Sequence, residues 1–491
     1  MNKIASDSIA KNVKSSIVWF RHDLRLSDNS ALDAAVKSGK SIYCIYIDET
    51  NEALRPLGGA ARWWLHHSLK ALEASLSAIG GGLACFAGDS EKILAELAQA
   101  IGADEVHWSR RYGGAERDVD ARIKANLKSQ GMLVASHNAS LLFEPWQIQN
   151  KTQEPYKVFT PFWRACMVSA APEQPLPAPK QINGAGALAQ SVSIDELGLL
   201  PTHPDWAAGF KDHWSIGEAG AQQRLFDFID EALPSYAEER DRPDMPSTSR
   251  LSPHLRFGEI SPRSIFYAVQ MAQDSGKAPA RDAAKFLAEI GWREFSYHLL
   301  YYNPELATKN FQARFDAFGW SAPNPAHLTA WQKGNTGYPI VDAGLRELWQ
   351  TGFMHNRVRM IVASFLIKHL MMDWRVGEEW FWDTLCDADP GSNAASWQWV
   401  AGSGADAAPY YRIFNPIIQG EKFDPDGTYV RKYVPELAGL GEKYIHKPWE
   451  LSSAELRSSG VVLGKTYPHP IVDHGFARDR ALAAFQALPK P

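Results

Sequence analysis

Short apolar segments alternate with amphipathic stretches over the first third of the chain. The apolar runs suited to β-strands are Ser16–Phe20, Ser41–Ile47, Leu83–Ala87, Glu105–Trp108 and Met132–Ser136. Helical periodicity runs between them, for example through Ala60–Ile79 and Ser90–Ile101. This alternation predicts a doubly wound parallel sheet of five strands. The first strand runs into FRHDLRLSDNSAL without a GxGxxG motif, which disfavours a dinucleotide-binding Rossmann domain.

The pattern changes twice beyond the predicted sheet. Residues 170–205 are rich in Pro, Ala, Gly and Gln, a composition typical of a long connector that lies over a surface. From about Gly217 onward strand signals almost vanish and helical periodicity dominates, as in Arg281–Leu300, Ile340–Gln350 and Asn356–Met372. We therefore predict an α/β domain over residues 14–145, a connector over 146–215 and a large all-α domain over 216–491.

Composition narrows the class of protein. The chain has 491 residues, 45% of them hydrophobic and 22% charged, as expected for a globular protein of two or three domains. The net charge of −5 gives no overall basic footprint, so any nucleic-acid contact must come from a local patch. Four scattered cysteines without CxxC spacing argue against a zinc or iron–sulfur site and indicate a reducing compartment. The N-terminus lacks a signal peptide, and the longest apolar run, Met360–Ile367, is too short to span a bilayer; we expect a cytoplasmic protein.

Motifs spread along the chain carry a family resemblance. Two of the 18 tryptophans, Trp397 and Trp399, stand one residue apart in the stretch from Cys386 to Phe423, beside an asparagine and paired aspartates. Further motifs occur in order: VWFRHDLRLSDNSAL (18–32), TSRLSPHLRFGEISPR (248–263), EIGWREF (289–295), GYPIVDAGLR (337–346) and HNRVRM (355–360). Together they resemble the DNA photolyase/cryptochrome family over nearly the whole chain, and bacterial cyclobutane pyrimidine dimer photolyases most closely.

The resemblance implies FAD as the cofactor. Hydroxyls and backbone N–H groups at a helix start suit a phosphate, although the segment before residue 253 could equally be a simple N-cap. The family uses this segment to hold the FAD diphosphate, together with a matching tyrosine; here the residues are Tyr236, Thr248, Ser249, Arg250, Leu251 and Ser252. Asp387, Ala388 and Asp389 match the family's contacts to the ribityl and isoalloxazine part of FAD, and Arg359 would pair with Asp387.

Asn393 separates two branches of the family. It lies four residues before Trp397, on the same face if the segment is helical. Photolyases carry an asparagine that faces flavin N5 at this position, whereas plant cryptochromes carry aspartate. A neutral amide tolerates an anionic reduced flavin better than a second negative charge would in a low-dielectric site. Asn393 therefore favours a catalytic flavin over a signalling one.

A second set of residues matches the family's substrate pocket. Glu289 and Trp292 are spaced i,i+3, and Asn356 and Met360 i,i+4, so each pair shares a helix face. Singly, such residues are more often core filler or caps. The resemblance implies that Trp292 and Trp399 flank a flipped-out dimer, that Glu289 bonds the 5′ base, and that Asn356 and Met360 form the opposite wall. Enzymes of the family specific for (6-4) photoproducts carry histidines at those last two positions, so the pair indicates cyclobutane dimers.

The resemblance also implies a DNA-binding groove and an electron relay. Arg240, Arg293, Arg357 and Arg412 match positions that line the family's basic groove, although Arg240 could be an ordinary surface arginine. Trp397, Trp374 and Trp320 match a relay from flavin to surface, with core packing as the alternative for Trp374. The chain from Trp320 to NPAHL (324–328) is one residue longer than the family pattern, which puts Trp320 in doubt.

A second, antenna chromophore follows from the resemblance. Relatives bind a folate or a deazaflavin in or near the α/β domain. In RRYGGAERD, Glu116 matches the acidic residue of folate binders, but Ala115 stands where many of them carry asparagine. The resemblance favours methenyltetrahydrofolate and leaves deazaflavin open.

The sequence thus predicts a monomeric enzyme whose partner is UV-damaged DNA and which carries no metal. It would split cyclobutane pyrimidine dimers with near-UV or blue light, by electron transfer from excited reduced FAD. The alternative is a cryptochrome-like blue-light photoreceptor, which Asn393, Glu289, Trp292 and Met360 disfavour. A light-independent flavin dehydrogenase lacks any nicotinamide-binding motif.

Overall fold

The N-terminal part of the chain forms one five-stranded parallel sheet. The computed structural model describes residues 14–186, 188, 190–322, 324–407 and 411–489. Residue 323, which follows Trp320, and residues 490–491, the last two of the predicted helical domain, lie outside these ranges. The strands are β1 (Ser15–Phe20), β2 (Ser41–Glu49), β3 (Leu83–Gly88), β4 (Ala103–Ser109) and β5 (Leu133–His137), in the order β3-β2-β1-β4-β5. All five lie at or within two residues of the predicted segments.

The sheet is buried on both faces, which explains its nearly continuous apolar strands. Four helices cover it: α1 (Ser30–Lys37), α2 (Gly59–Ala78), α3 (Ser90–Ile101) and α4 (Gly114–Ser129). Val18 and Phe20 point to the face covered by α1 and α2, and Ile17 and Trp19 to the face covered by α3 and α4. The predicted doubly wound α/β fold is therefore confirmed.

The predicted connector crosses from the sheet to the helices and contains α5 (Phe159–Val168). Ile182 and Leu197 pack into the apolar core beside α2, so the proline- and alanine-rich stretch lies along the surface of the α/β domain. The connector also contributes to the candidate site, because Phe159, the first residue of α5, stacks on Trp292.

Residues beyond about 217 form a helical domain around a large apolar core. Its helices are α6 (Glu218–Asp227), α7 (Tyr236–Glu239), α8 (Ser252–Phe257), α9 (Pro262–Asp274), α10 (Ala280–Tyr302), α11 (Pro325–Gln332), α12 (Pro339–Thr351), α13 (Asn356–Ser364), α14 (Trp374–Thr384), α15 (Ser392–Ala401), α16 (Pro416–Phe423), α17 (Thr428–Tyr433), α18 (Glu442–Ile445), α19 (Ser453–Ser458) and α20 (His474–Gln486). An ion pair connects this domain to the α/β domain. Arg55, in the segment after β2, donates to Glu378 through both terminal guanidinium nitrogens, at 2.8 and 2.9 Å.

One predicted helix ends earlier than expected. The helix predicted over Asn356–Met372 is α-helical only to Ser364 and continues as a π-helix over Phe365–His369. The Leu370 N–H bonds the carbonyl of Phe365, five residues back, and Met371 then adopts a left-handed φ of 55° that ends the helix. Apolar periodicity continues through this segment, so the sequence pattern gave no sign of the break.

Two further observations concern the described residues. None of their helices is long and apolar enough to cross a membrane. The four cysteines are all buried and unpaired, and across residues 14–489, apart from the few positions left out above, no cluster of three or more His, Cys, Asp or Glu side chains is placed to hold a metal ion.

Candidate functional site

An ion pair between Arg359 and Asp387 forms the floor of the candidate site. The Arg359 guanidinium bonds both carboxylate oxygens of Asp387, at 3.0 and 2.8 Å, a two-point geometry that fixes both planes. Ser252 Oγ, at the start of α8, donates to the same carboxylate at 2.6 Å. The predicted Arg359–Asp387 contact is therefore present, and it includes one of the residues predicted to hold a diphosphate.

The segment before α8 lies beside this pair. Arg250 adopts a left-handed φ of 52° and places its guanidinium over the rings of Trp214 and Phe353, 4.3 and 5.0 Å from the two centroids. Arg359 contacts the same Phe353 ring at 5.2 Å. Burial lowers the pKa of Arg250, as expected for a cation held away from water without a carboxylate partner in hydrogen-bond contact among the described residues. An anion bound here would gain from both arginines.

Tyr236 lies on α7 and is almost fully buried. Its ring packs edge-on against Phe228 and Phe286, at 5.6 and 5.3 Å between centroids. Thr248 and Ser249 are half-buried, and Ser249 Oγ accepts a long bond of 3.4 Å from Leu251 N–H. The hydroxyl of Ser252 is thus held by Asp387, whereas that of Ser249 has only this long bond among the described residues.

Asp389 and Asn393 build the start of α15. Asp389 Oδ1 accepts hydrogen bonds from Gly391 N–H and Ser392 N–H, at 2.9 and 2.7 Å. The Asn393 amide nitrogen donates to the carbonyl and to the carboxylate of Glu378, at 3.0 and 2.8 Å. Both partners are acceptors, so they orient the NH₂ group toward themselves and leave the amide oxygen as the atom available to a ligand. Glu378 is in turn neutralised by Arg55.

Several buried polar atoms around this floor have no hydrogen-bond partner among the residues that the structure describes, which tests whether a large polar cofactor fits. The unpartnered nitrogens are Arg250 Nε, Arg256 Nη1, His355 Nε2 and Trp397 Nε1. Burial lowers the pKa of His355 to about 4, and its Nδ1 accepts from Arg357 N–H, so the ring proton is on Nε2. Unpaired buried donors are costly unless a ligand or water meets them, so these residues fit a molecule with acceptor groups such as FAD.

Two ion pairs connect the predicted lesion-binding residues of α10 with those of α13. Arg240 Nη1 forms an ion pair with Glu289 at 2.6 Å, and Arg357 Nη2 donates a hydrogen bond to Asp241 at 2.6 Å. Arg357 also approaches Met360 Sδ at 3.8 Å. Because Arg240 and Asp241 are consecutive, they connect Glu289 on one side to Arg357 and Met360 on the other. Asn356, the first residue of α13, is exposed at this rim.

Trp292 and Trp399, the two tryptophans predicted to flank the lesion, are called here the aromatic walls. They are connected by two residues that the sequence analysis did not identify. Trp292 stacks on Phe159 with 3.8 Å between centroids and 9° between planes. Trp399 Nε1 donates to the carbonyl of Asp406 at 3.0 Å, and Asp406 Oδ2 accepts from Phe159 N–H at 3.3 Å. Both tryptophans are half-buried. Phe159 lies in the predicted connector and Asp406 in a turn, so neither periodicity nor a side-chain motif identified them.

The four arginines predicted to line a DNA groove differ in their surroundings. Arg412 is exposed, whereas Arg240 and Arg357 pair with the acids just described. Arg293 is partly buried, donates to the carbonyl of Ser140 at 2.5 Å and lies 4.9 Å from the Tyr297 ring centroid. This hydrogen bond links α10 to the segment after β5, and the predicted phosphate contact of Arg293 stays a prediction.

The predicted electron relay lies in one apolar core. Trp397 is buried against Phe381, 4.9 Å away, and a Cβ at Gly377 would come within 2.1 Å of its indole, so only glycine admits the ring there. Trp374 is fully buried and donates to Asn310 at 2.9 Å. Trp320 is half-buried beside Phe318 at 4.4 Å and packs against the same core. Trp397 and Trp374 are thus buried, and Trp320 is partly exposed to solvent. The order in which they would transfer electrons remains a prediction.

Two places are candidates for the antenna chromophore: the carboxyl edge of the sheet and the surroundings of Glu116. Arg21 bonds Asp120 at 2.7 and 2.9 Å, and Arg111 bonds Asp120 at 2.6 Å and also contacts Glu49. This network fills the crevice between β1 and β4 where the strand order reverses, the place where dinucleotides bind in related folds. Glu116 instead caps α4, with Oε2 accepting from Gly113 N–H at 3.1 Å. Next to it, Arg117 covers Tyr301, whose ring contacts the part-exposed Trp146.

Comparison with known proteins matches both halves of the chain. Residues 16–180 match the family model described as DNA photolyase, and residues 286–487 match the FAD-binding domain of DNA photolyase. A deoxyribodipyrimidine photo-lyase of Agrobacterium fabrum is 55% identical over 96% of this chain and 98% of its own length. Cryptochrome-1 of Arabidopsis thaliana is 38% identical, over 96% of this chain and 70% of that protein.

A solved structure agrees with these matches. The crystal structure of a class III photolyase from Agrobacterium tumefaciens superposes with a TM-score of 0.94 at 54% identity, covering 98% of this chain and 99% of that chain. The two family models together span more than half of the sequence, and the identity extends over nearly its full length. The chain belongs to the DNA photolyase/cryptochrome family.

Proposed function

We propose that this protein is a deoxyribodipyrimidine photo-lyase that uses light to split cyclobutane pyrimidine dimers in UV-damaged DNA. The observation that carries the proposal is the joint arrangement of two half-buried tryptophans, Trp292 and Trp399, with α15, whose Asn393 lies one helical turn from Trp397. High identity to a photo-lyase over nearly the whole chain supports the same activity.

The FAD-binding residues divide into three functions. Arg250 would provide positive charge for the diphosphate, whereas Asp387 fixes the Arg359 guanidinium beside the isoalloxazine ring and Ser252 fixes Asp387. The Asn393 amide oxygen offers a neutral acceptor, which does not oppose an anionic ring. When bound and reduced, FAD supplies the electron that opens the dimer under near-UV or blue light.

The lesion would enter between the two aromatic walls. Flat indole faces can stack on extruded bases, and a damaged base pair costs less to unstack than an intact one. Glu289 would accept a hydrogen bond from the 5′ base, and Asn356 and Met360 would close the opposite side. The absence of histidine at those two positions distinguishes the pocket from that of enzymes acting on (6-4) photoproducts, and Asn393 favours repair over a cryptochrome-like receptor.

DNA would be held by few positive charges. Arg412 is exposed, and Arg240 and Arg357 would reach phosphate only after exchanging Glu289 and Asp241 for it. Burial alone would raise the pKa of Asp241, but the hydrogen bond from Arg357 lowers it, so the acid competes with phosphate as an anion. We expect the affinity for damaged DNA to fall as the salt concentration rises. We also propose that the protein acts as a monomer.

Replacing Glu289 by glutamine tests the lesion pocket. The amide keeps the size of the side chain but accepts the proposed hydrogen bond from the 5′ base less strongly than the carboxylate does, so we expect the affinity for UV-irradiated oligothymidine to fall roughly tenfold, the cost of one charged hydrogen bond. Fluorescence anisotropy in the dark measures this. Glu238→Gln is the matched control, because it breaks an exposed pair with Arg281 and should leave the affinity unchanged. Equal affinities for all three proteins would contradict the assigned role.

We propose methenyltetrahydrofolate as the antenna chromophore, bound beside Glu116, Trp146 and Tyr301. The filled crevice at the sheet edge disfavours a deazaflavin in the α/β domain itself, since Arg21, Arg111 and Asp120 occupy that space. Planar aromatic rings beside a carboxylate suit a pterin ring with donor groups.

The antenna assignment has its own test. Freshly purified protein should show a folate band in addition to that of flavin, and Glu116→Gln should lose most of it while keeping flavin. Glutamine can still cap α4, so the helix should remain intact. A retained folate band in the variant would overturn the role of Glu116, and a deazaflavin band in the wild-type protein would overturn the choice of folate.

A further inference from the structure

We propose that Asp406 is a positioning residue that sets the spacing between the two aromatic walls of the lesion pocket. The inference rests on the proposed function, because it concerns the same pocket. Asp406 makes a contact toward each wall: its carbonyl accepts from Trp399 Nε1, and its carboxylate accepts from the N–H of Phe159, which stacks on Trp292. The two walls come from distant parts of the chain, α10 and α15, and this residue connects them.

The backbone of Asp406 makes the double contact possible. Its φ of 53° lies in the left-handed region, where a side chain with Cβ is strained, and Asp and Asn are among the residues that tolerate it best. In this turn the carbonyl faces α15 and the carboxylate faces α5. A residue kept in a disfavoured conformation indicates that the surrounding contacts determine its position.

The carboxylate also completes the start of α5. Phe159 is the first residue of that helix, and Val158 before it has no side chain that can cap. An acid placed at a helix N-terminus is stabilised by the partial positive charge there. Burial raises the pKa of Asp406 above its usual value, and the hydrogen bond from Phe159 N–H offsets part of that rise. Removing the carboxylate should free the start of α5 and, with it, Phe159 and the indole of Trp292.

The proposed effect is confined to one side of α15. Trp397 and Trp399 are two residues apart on a helix, about 200° around its axis, so they face opposite directions. Of these two tryptophans, Trp399 is the one that donates a hydrogen bond to Asp406. Variants of Asp406 should therefore change lesion binding without changing FAD content or the rate of photoreduction through Trp397.

The experiment compares two substitutions at this position. Asp406→Gly keeps the left-handed turn but removes the carboxylate, and we expect roughly tenfold weaker binding of UV-irradiated oligothymidine, the loss of one charged hydrogen bond. Asp406→Asn keeps both the turn and an acceptor oxygen and should recover most of the affinity. Asp89→Gly removes a helix cap in the α/β domain, where Asp89 accepts from Lys92 N–H, and should have no effect on binding. An affinity of Asp406→Gly equal to that of the wild-type protein would overturn the proposal.

A double-mutant cycle with Phe159→Leu tests the route of the effect. If Asp406 acts through Phe159, the second substitution should add little to the first, whereas independent sites would give additive losses. Additive losses contradict the proposal. Should Asp406→Gly lower FAD content, Phe159→Leu alone tests the stacking on Trp292 through which Asp406 is proposed to act, and unchanged affinity of that variant also contradicts the proposal. Failure of the proposed function would look different, because the wild-type protein would then show no preference for irradiated over unirradiated oligothymidine.

Discussion

Trp397→Phe is expected to block photoreduction of the FAD-loaded protein while leaving dimer repair intact once the flavin has been reduced chemically. Trp397 is buried four residues after Asn393 on α15, and Gly377 leaves just enough room for its indole against α14. Phenylalanine fills most of that space and keeps the apolar contacts with Phe381, so the fold and the FAD site should be preserved. It lacks the readily oxidised indole, so the first electron-transfer step to the flavin should be lost.

Two further tryptophans decide the route beyond Trp397. Trp374 is predicted to follow it, whereas Trp331 is an equally buried tryptophan whose ring lies 6.4 Å from that of Trp397. We expect Trp374→Phe to slow photoreduction strongly and Trp331→Phe to leave it near the wild-type rate, measured from the bleaching of oxidised flavin under blue light with an external reductant. Undiminished photoreduction in Trp397→Phe would contradict the relay, and the opposite order of the two other variants would redirect it through Trp331.

Asp387→Asn is expected to yield protein that has lost most of its FAD. The Asp387 carboxylate is almost fully buried and accepts from Arg359 and Ser252, so the substitution leaves the arginine without its counter-charge beside the cofactor. Hydrogen bonds to charged groups contribute about 1.5–3 kcal/mol, which corresponds to roughly 10- to 100-fold weaker FAD binding. The ratio of flavin to protein absorbance after gel filtration measures retention, and titration of apoprotein with FAD measures affinity.

Glu436→Gln provides the control for this change. It removes the same charge from an ion pair of similar length, with Arg346 at 2.7 Å, in the same domain but outside the cluster around Asp387; the Glu436 carboxylate is more exposed than that of Asp387. FAD retention should equal that of the wild-type protein. If Asp387→Asn also retained FAD normally, the Arg359–Asp387 pair would be a structural contact only.

The sequence predicted the elements whose physical signal is local. Strand alternation and helical periodicity identified all five strands and the long helices α10 and α12 to within two residues, because each pattern reflects burial along that same segment. Contacts at helix spacing, such as Asn393 with Trp397, were equally accessible. The π-helical break after Ser364 was not, since the residues there are apolar whichever helix type they adopt.

The sequence did not predict residues whose role depends on a contact with a residue distant along the chain. Glu378 orients the Asn393 amide, Asp241 pairs with Arg357, and Phe159 stacks on Trp292, yet the partners in each pair are at least 15 residues apart in sequence. The role of Arg293 stays a prediction. Its position in a family motif suggests a phosphate contact, and in the structure its Nη1 donates to the carbonyl of Ser140, a partner 153 residues away that no local pattern identifies.

Repair by the reduced wild-type protein under light tests the central claim most directly. Protein loaded with FAD and reduced with dithionite is mixed with UV-irradiated oligothymidine and exposed to near-UV or blue light, with a dark sample and a Trp292→Ala, Trp399→Ala double variant as controls. Loss of dimers is followed by the recovery of thymine absorbance. The account predicts recovery with many turnovers only in the illuminated wild-type sample. Absence of dimer loss in that sample, with the flavin bound and reduced, would contradict the assignment of this protein as a photo-lyase.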